Sequence, residues 1–159
     1  MHIHTLDCEL TAPGNIRETF RFFEDPANLA RITPPSMGFE IVTPAREMRR
    51  GLEIGYRVRV FGIKLPWRSL ISEYNPPHVF LDEALVSPYK LWRHRHTFEE
   101  TSRGTIVRDQ VDYALPLWPV GEVAHMLVRR QLNAIFTFRQ QALAKYLGQL
   151  VEASGPVIR

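Results

Sequence analysis

Hydrophobic and polar positions along this chain change period three times, and the changes divide it into four stretches. From Ile3 to Leu10 they alternate, with His4, Leu6, Cys8 and Leu10 on one face, which predicts a first strand. Pro13 then opens a helix in which Ile16, Phe20 and Phe23 form one apolar side, ending before Asp25-Pro26. Asp25 can cap a second short helix with Pro26 at its first position. Leu29 and Ile32 would pack inward before Thr33-Pro34-Pro35 stops it.

From Phe39 to Leu115 the period is two almost throughout, interrupted at Gly51, Gly62, Asn75-Pro76-Pro77, Pro88 and Gly104. This spacing predicts an antiparallel meander. A hairpin across Phe61-Gly62-Ile63-Lys64 would pair Val60 with Leu65, Val58 with Trp67 and Tyr56 with Ser69. Tyr56, Val58, Trp67 and Ile71 then share the apolar face, while Arg57, Arg59 and Arg68 point away from it. After Pro116 and Pro119 the pattern becomes helical, from Pro119 to about Leu147. Val120, Val123, Leu127, Ile135, Phe138 and Ala142 give a partial stripe, which Val128, Leu132, Phe136, Leu143 and Leu147 widen. The only surface available for such a helix to cover is the sheet. Residues 1–150 read as a single domain, and residues 151–159, with Gly155-Pro156, as a flexible tail.

Composition narrows the class. The 159 residues, 45% hydrophobic and 23% charged, suit one domain with a sizeable core. A net charge of +3, with acidic residues scattered among the basic ones, gives no reason to expect nucleic acid as a partner. The single Cys8 excludes an intramolecular disulfide and a cysteine-based zinc site, which makes a reducing cytoplasm the expected location. His2, His4, Asp7 and Glu9 interrupt the first ten residues, so no signal peptide is expected there, and no run approaches the ~20 apolar residues of a membrane helix.

The most informative segment is the run from Leu91 to Phe98. In a strand, Trp92, His94, His96 and Phe98 share one face, and Arg93 and Arg95 take the other with Arg108. The following run places Val107, Asp109, Val111 and Tyr113 together. A hairpin across Glu100-Thr101-Ser102-Arg103 pairs Glu99 with Gly104, setting Asp109 opposite His94 and Val107 opposite His96, whereas a shift of two would exchange the histidines and keep the faces. A carboxylate then meets an imidazole on an apolar surface. Asp82, two residues after Phe80, can join them. The pair can satisfy its own buried polarity, orient a ligand, or act as a base with its orienter. His-x-His beside a carboxylate is also metal-ligand spacing, but with no third His or Cys on that face apart from His4, no metal and no cofactor are expected. There is no Gly-rich phosphate loop, serine elbow or His-Glu-x-x-His.

Phe23-Glu24-Asp25-Pro26-Ala27-Asn28-Leu29, followed by Ile32-Thr33-Pro34-Pro35, resembles the opening of the START-like superfamily, in its polyketide cyclase/dehydrase-related branch. Asp82, Pro88-Tyr89, the run Trp92 to Phe98, Asp109-Gln110-Val111-Asp112-Tyr113 and Leu115-Pro116 resemble that branch as well. The resemblance spans about residues 3 to 147. It implies an α+β helix-grip fold: about seven antiparallel strands curved round a long C-terminal helix, with two short helices after strand 1. It also implies a cavity between sheet and helix.

The expected function is therefore binding of a small hydrophobic or amphipathic ligand, of lipid, polyketide or aromatic type, by a carrier or sensor. The expected walls are Tyr56, Val58, Trp67, Ile71, Asp82, Trp92, His94, His96, Phe98, Asp109, Tyr113, Leu127 and Phe138, with Met37 and Phe39 near the mouth. The alternative is a cyclase, aromatase or dehydratase in which His94, activated by Asp109, is the general base. Monomer and homodimer are both compatible with the sequence. A third reading, an interaction module acting through the arginine-bearing outer face, would require those arginines to be available to a partner.

Overall fold

The computed structural model describes residues 1–44 and 46–159. Strand β1 (His4–Ala12) leads into helices α1 (Ile16–Phe23) and α2 (Asn28–Arg31). After them come β2 (Glu40–Ile41), β3 (Glu53–Val60), β4 (Ile63–Asn75), β5 (Val79–Val86), β6 (Leu91–Thr101) and β7 (Gly104–Ala114). Helix α3 (His125–Leu147) and a last strand, β8 (Glu152–Ile158), complete the chain. The strands form one antiparallel sheet in the order β2-β3-β4-β5-β6-β7-β1-β8, with α3 packed against it. This is the α+β helix-grip architecture.

The local signals act much as the pattern predicts, with shifted boundaries. Helix α1 starts at Ile16 rather than Pro13, because the Asn15 side chain caps it by accepting from the Glu18 backbone N–H at 2.9 Å. Asp25 accepts from the Ala27 N–H at 3.0 Å and so shapes the turn into α2. The long helix does not begin at Pro119. Residues Val120–Ala124 form a 3-10 segment, and regular α geometry starts at His125.

Both expected hairpin registers are off by two residues. Val60 pairs with Ile63, so Tyr56 lies opposite Trp67 and Val58 opposite Leu65. Phe61 and Gly62 both have positive φ, 47° and 80°, the requirement of a two-residue type I′ turn whose twist matches that of the strands. Thr101 pairs with Gly104, which places His96 opposite Asp109 and His94 opposite Val111. Thr101 tightens that turn by accepting the Arg103 N–H at 3.2 Å and donating to the Gly104 carbonyl at 2.9 Å. A slip of two preserves the face of every side chain, so the inward set survives the correction.

The tail expected to be flexible is instead strand β8. It pairs with β1 from Leu6–Ile158 to Thr11–Glu152, with a bulge between Asp7 and Glu9, and buries Ile158. Pro156 is tolerated because β8 is an edge strand. Two apolar clusters make the core. Phe20, Phe23, Ile54, Ile71, Phe80, Phe98 and Leu143 belong to one, and Leu6, Cys8, Val111, Tyr113, Val128, Leu132 and Phe136 to the other.

Candidate functional site

The site forms where the two apolar clusters meet. Alternation on β5, β6 and β7 turns Asp82, His94, His96 and Asp109 to the same face of the sheet. Register then places Asp82 opposite His94 and Asp109 opposite His96. The carboxylates thus flank the imidazoles on both sides. His94 Nε2 lies 2.8 Å from Asp109 Oδ1 in hydrogen-bond geometry, and His96 Nδ1 lies 2.9 Å from the same oxygen, outside hydrogen-bond alignment. On the other side, Asp82 Oδ2 is 3.5 Å from His96 Nε2 and 3.9 Å from His94 Nδ1. The two imidazole centroids are 3.8 Å apart, and Phe80 stacks on His96 at 4.1 Å.

Arg139 completes the cluster from α3, although it was not among the residues expected from the sequence. Its Nη2 lies 3.6 Å from Asp109 Oδ1, and its guanidinium sits over the rings of Phe23 and Phe136 at 5.9 and 5.8 Å. Arg139 is only 7% exposed, and its Nε has no hydrogen-bond partner among the described residues. A signal for it does exist in the sequence. Val128, Leu132, Phe136, Arg139 and Leu143 recur at helical spacing, and a charge on that stripe must point at the core.

These contacts determine protonation. Burial pushes Asp109 upward, but the Arg139 guanidinium and the two histidines outweigh it and hold the carboxyl well below the usual range. Burial also raises Asp82, yet His96, His94 and Arg139 bring it below its ordinary value. For His94 burial dominates, reinforced by His96, and lowers the imidazole to about 4 despite its carboxylate neighbours. Cys8, 3.9 Å from Asp109 Oδ2, is pushed upward by burial and by that carboxylate, so it is held as a thiol.

The polar cluster opens into a cavity of about 160 Å³ beneath α3. Of the expected walls, Tyr56, Val58, Trp67, Ile71, Asp82, Trp92, His94 and His96 line it, joined by Ile54, Ser69, Ile135, Phe136 and Arg139. Tyr56 stacks on Trp67 at 5.8 Å, and Trp92 meets Trp67 edge-on at 5.2 Å. Trp67 donates its Nε1–H to Ser69 Oγ at 3.2 Å, and Ser69 donates to Asp82 Oδ1 at 3.4 Å, linking the aromatic wall to the carboxylate. Thr33, Met37 and Phe39, between α2 and β2, border the cavity.

The remaining expected residues lie elsewhere. Phe98 packs with Phe20 and Phe23 in the core, Asp109 sits behind the histidines, and Tyr113 is buried against His125, its hydroxyl 3.1 Å from Nε2. Phe138 does not reach the cavity, and Leu127 is 57% exposed. The face that α3 buries is the neighbouring stripe, Val128, Leu132, Phe136, Arg139 and Leu143. The outer face carries ion pairs: Arg93 with Glu83, Arg95 with Glu73, Arg68 with Glu53, and Arg108 with Glu9 and Glu99. Those pairings describe a solvated sheet face. Among the described residues, no helix is long and apolar enough to cross a membrane.

No protein-family model and no curated protein matches the sequence. Solved structures do. A protein from Thermus thermophilus is 16% identical, with a TM-score of 0.70 over 90% of this chain and 96% of that one. The di-domain ARO/CYC StfQ of the steffimycin biosynthetic pathway gives 0.68 at 11% identity, covering 91% of this chain and 50% of that one. A nucleoside-diphosphate sugar epimerase from Corynebacterium glutamicum gives 0.61 at 23% identity, over 87% of this chain and 28% of the epimerase. At these identities the likeness is one of fold.

Proposed function

We propose that this chain, with its START-like helix-grip fold, binds a small amphipathic ligand between the sheet and α3, as a carrier or sensor. The observation that carries the proposal is the cavity itself: aromatic walls closing on one polar cluster, the arrangement of a small-molecule site. Its volume sets the size of the occupant. An apolar cavity of about 150 Å³ holds benzene, so about 160 Å³ suits a single ring or short branched chain. Anything larger needs α3 or the segment around Met37 to shift outward. Tyr56, Trp67 and Trp92 would hold the apolar body, and His94, His96 and Asp82 the polar end.

The test is native mass spectrometry of the purified protein against an Ile54→Trp variant, which fills the cavity from β3. A stoichiometric small molecule on the wild type that is absent from the variant supports the proposal. Equal retention by both places the molecule elsewhere and overturns it.

Catalysis by His94 as a general base is the second reading, favoured by its hydrogen bond to Asp109. A base of about 4 is poorly matched to proton abstraction near neutrality, however, and better suited to accepting a hydrogen bond from a ligand. If turnover of a poly-β-carbonyl substrate is found, its loss in a His94→Ala variant that still binds the ligand would restore the enzymatic reading.

A further inference from the structure

We infer that Asp82, His94 and His96 form a site for a divalent first-row transition metal at the polar end of the cavity. One potential ligand atom from each residue lies within 4.8 Å of the others. Asp82 Oδ2 is 3.5 Å from His96 Nε2 and 3.9 Å from His94 Nδ1. Both gaps exceed the roughly 2.7–3.2 Å of an N–H···O hydrogen bond. Ligand atoms held about 2.0–2.2 Å from a tetrahedral or octahedral ion stand roughly 3.0–3.5 Å apart. A contraction of about half an ångström would therefore bring the Asp82 carboxylate to ligand spacing from each imidazole, the two imidazole nitrogens themselves lying within 4.8 Å of one another.

The opposite nitrogens carry the argument further. His94 Nε2 and His96 Nδ1 both face Asp109 Oδ1, at 2.8 and 2.9 Å. An outer carboxylate behind a ligating histidine fixes its tautomer and ring orientation. Here Asp109 does so for His94, whose Nε2 it holds in hydrogen-bond geometry, while His96 Nδ1 approaches the same oxygen without that alignment. With its N–H on Asp109, a neutral His94 presents the Nδ1 lone pair toward Asp82, and His96 turns Nε2 to the same carboxylate. Charge points the same way. Asp82 and Asp109 contribute two negative charges and Arg139 one positive, which leaves a buried excess that a divalent ion would offset.

Two histidines and one carboxylate leave open coordination positions on an ion, and here those positions face the aromatic cavity. Only that role, anchoring an oxygen of the bound ligand, rests on the function proposed above; metal binding itself requires no organic ligand. The expectation of no metal rests on the lack of a third His or Cys beside His94 and His96, apart from His4. The pairing of β5 with β6 supplies Asp82 as that third ligand.

The test is titration of chelator-treated wild-type protein with Co²⁺, followed by visible absorption and by NMR of the three tryptophan indoles. The expected result is one equivalent bound, with paramagnetic shifts largest at Trp67 and Trp92 and smallest at the exposed Trp118. Asp82→Asn should lose more than the ~10–100-fold in affinity that an outer-shell change costs, and Asp109→Asn should fall within that range. A second group, His4, Glu122 and His125, also gathers potential ligand atoms, so His125→Ala is the control and should leave cobalt binding intact. No binding by the wild type at millimolar Co²⁺ would overturn the inference. So would binding that His125→Ala abolishes. Native mass spectrometry of the metal-free protein reports separately on the cavity, so the two readings can fail independently.

Discussion

Replacing Arg139 with Met removes the guanidinium while keeping most of the apolar stem that crosses Phe23 and Phe136. Asp109, 4% exposed, then loses its cation from α3 and keeps its contacts with the two histidines and the Cys8 thiol. Removing one partner of a buried pair costs about 3–5 kcal/mol, because the other charge is left buried and uncompensated. With the His94 hydrogen bond retained, the lower end applies, about 3 kcal/mol. For a domain of this size that is a fall in Tm of roughly 6–12 °C. Urea denaturation at pH 7 reads the same loss as a lower midpoint at unchanged slope. Asp109→Asn/Arg139→Met should recover at least about 1 kcal/mol relative to the sum of the single changes, since the second substitution removes the orphaned charge. A single-variant loss below about 1 kcal/mol, or strict additivity in the double variant, would refute the assignment of Arg139 as the compensating charge.

Titration and turn geometry supply three further tests. His94 has a native value near 4 against about 6.5 unfolded, so the unfolded chain takes up a proton first as pH falls. Its contribution is present above about pH 6.5 and is lost toward pH 4 at up to ~1.4 kcal/mol per unit; His94→Asn should flatten the pH dependence of metal-free denaturation midpoints, and an unchanged slope would contradict the burial argument. Gly104→Ala should destabilise by about 1–3 kcal/mol in urea, because φ is +132° and the added Cβ would collide with the Ala12 carbonyl oxygen; a neutral effect would show that this turn differs in solution. Ile158→Ala should cost about 2–4 kcal/mol by thermal denaturation, where a frayed tail would show no change.

The parts legible in the sequence are those governed by periodicity. Alternation assigns every inward residue of β6 and β7 to its face, and the order of elements gives the helix-grip architecture. Register is less legible, because Phe61 does not advertise the left-handed conformation it adopts, and a four-residue loop satisfies the same alternation. β8 is hidden by Gly155-Pro156, a pair that reads as a break unless the strand lies at an edge with a bulge opposite it. Long-range pairing also decides the site. Alternation brings Asp82 to the face of the histidines, but its place opposite His94 depends on the β5–β6 register. Arg139 is legible as a charge on an apolar stripe once the stripe Val128, Leu132, Phe136 and Leu143, rather than the one through Leu127 and Phe138, is taken as the buried one.

The most direct test of the account is a crystal structure of the protein soaked with p-cresol, a single ring with one polar end. The account predicts the ring between Tyr56, Trp67, Trp92 and Phe136, with its hydroxyl turned toward His94 and His96. An interior closed by its own side chains, leaving no space between the sheet and α3, would contradict it.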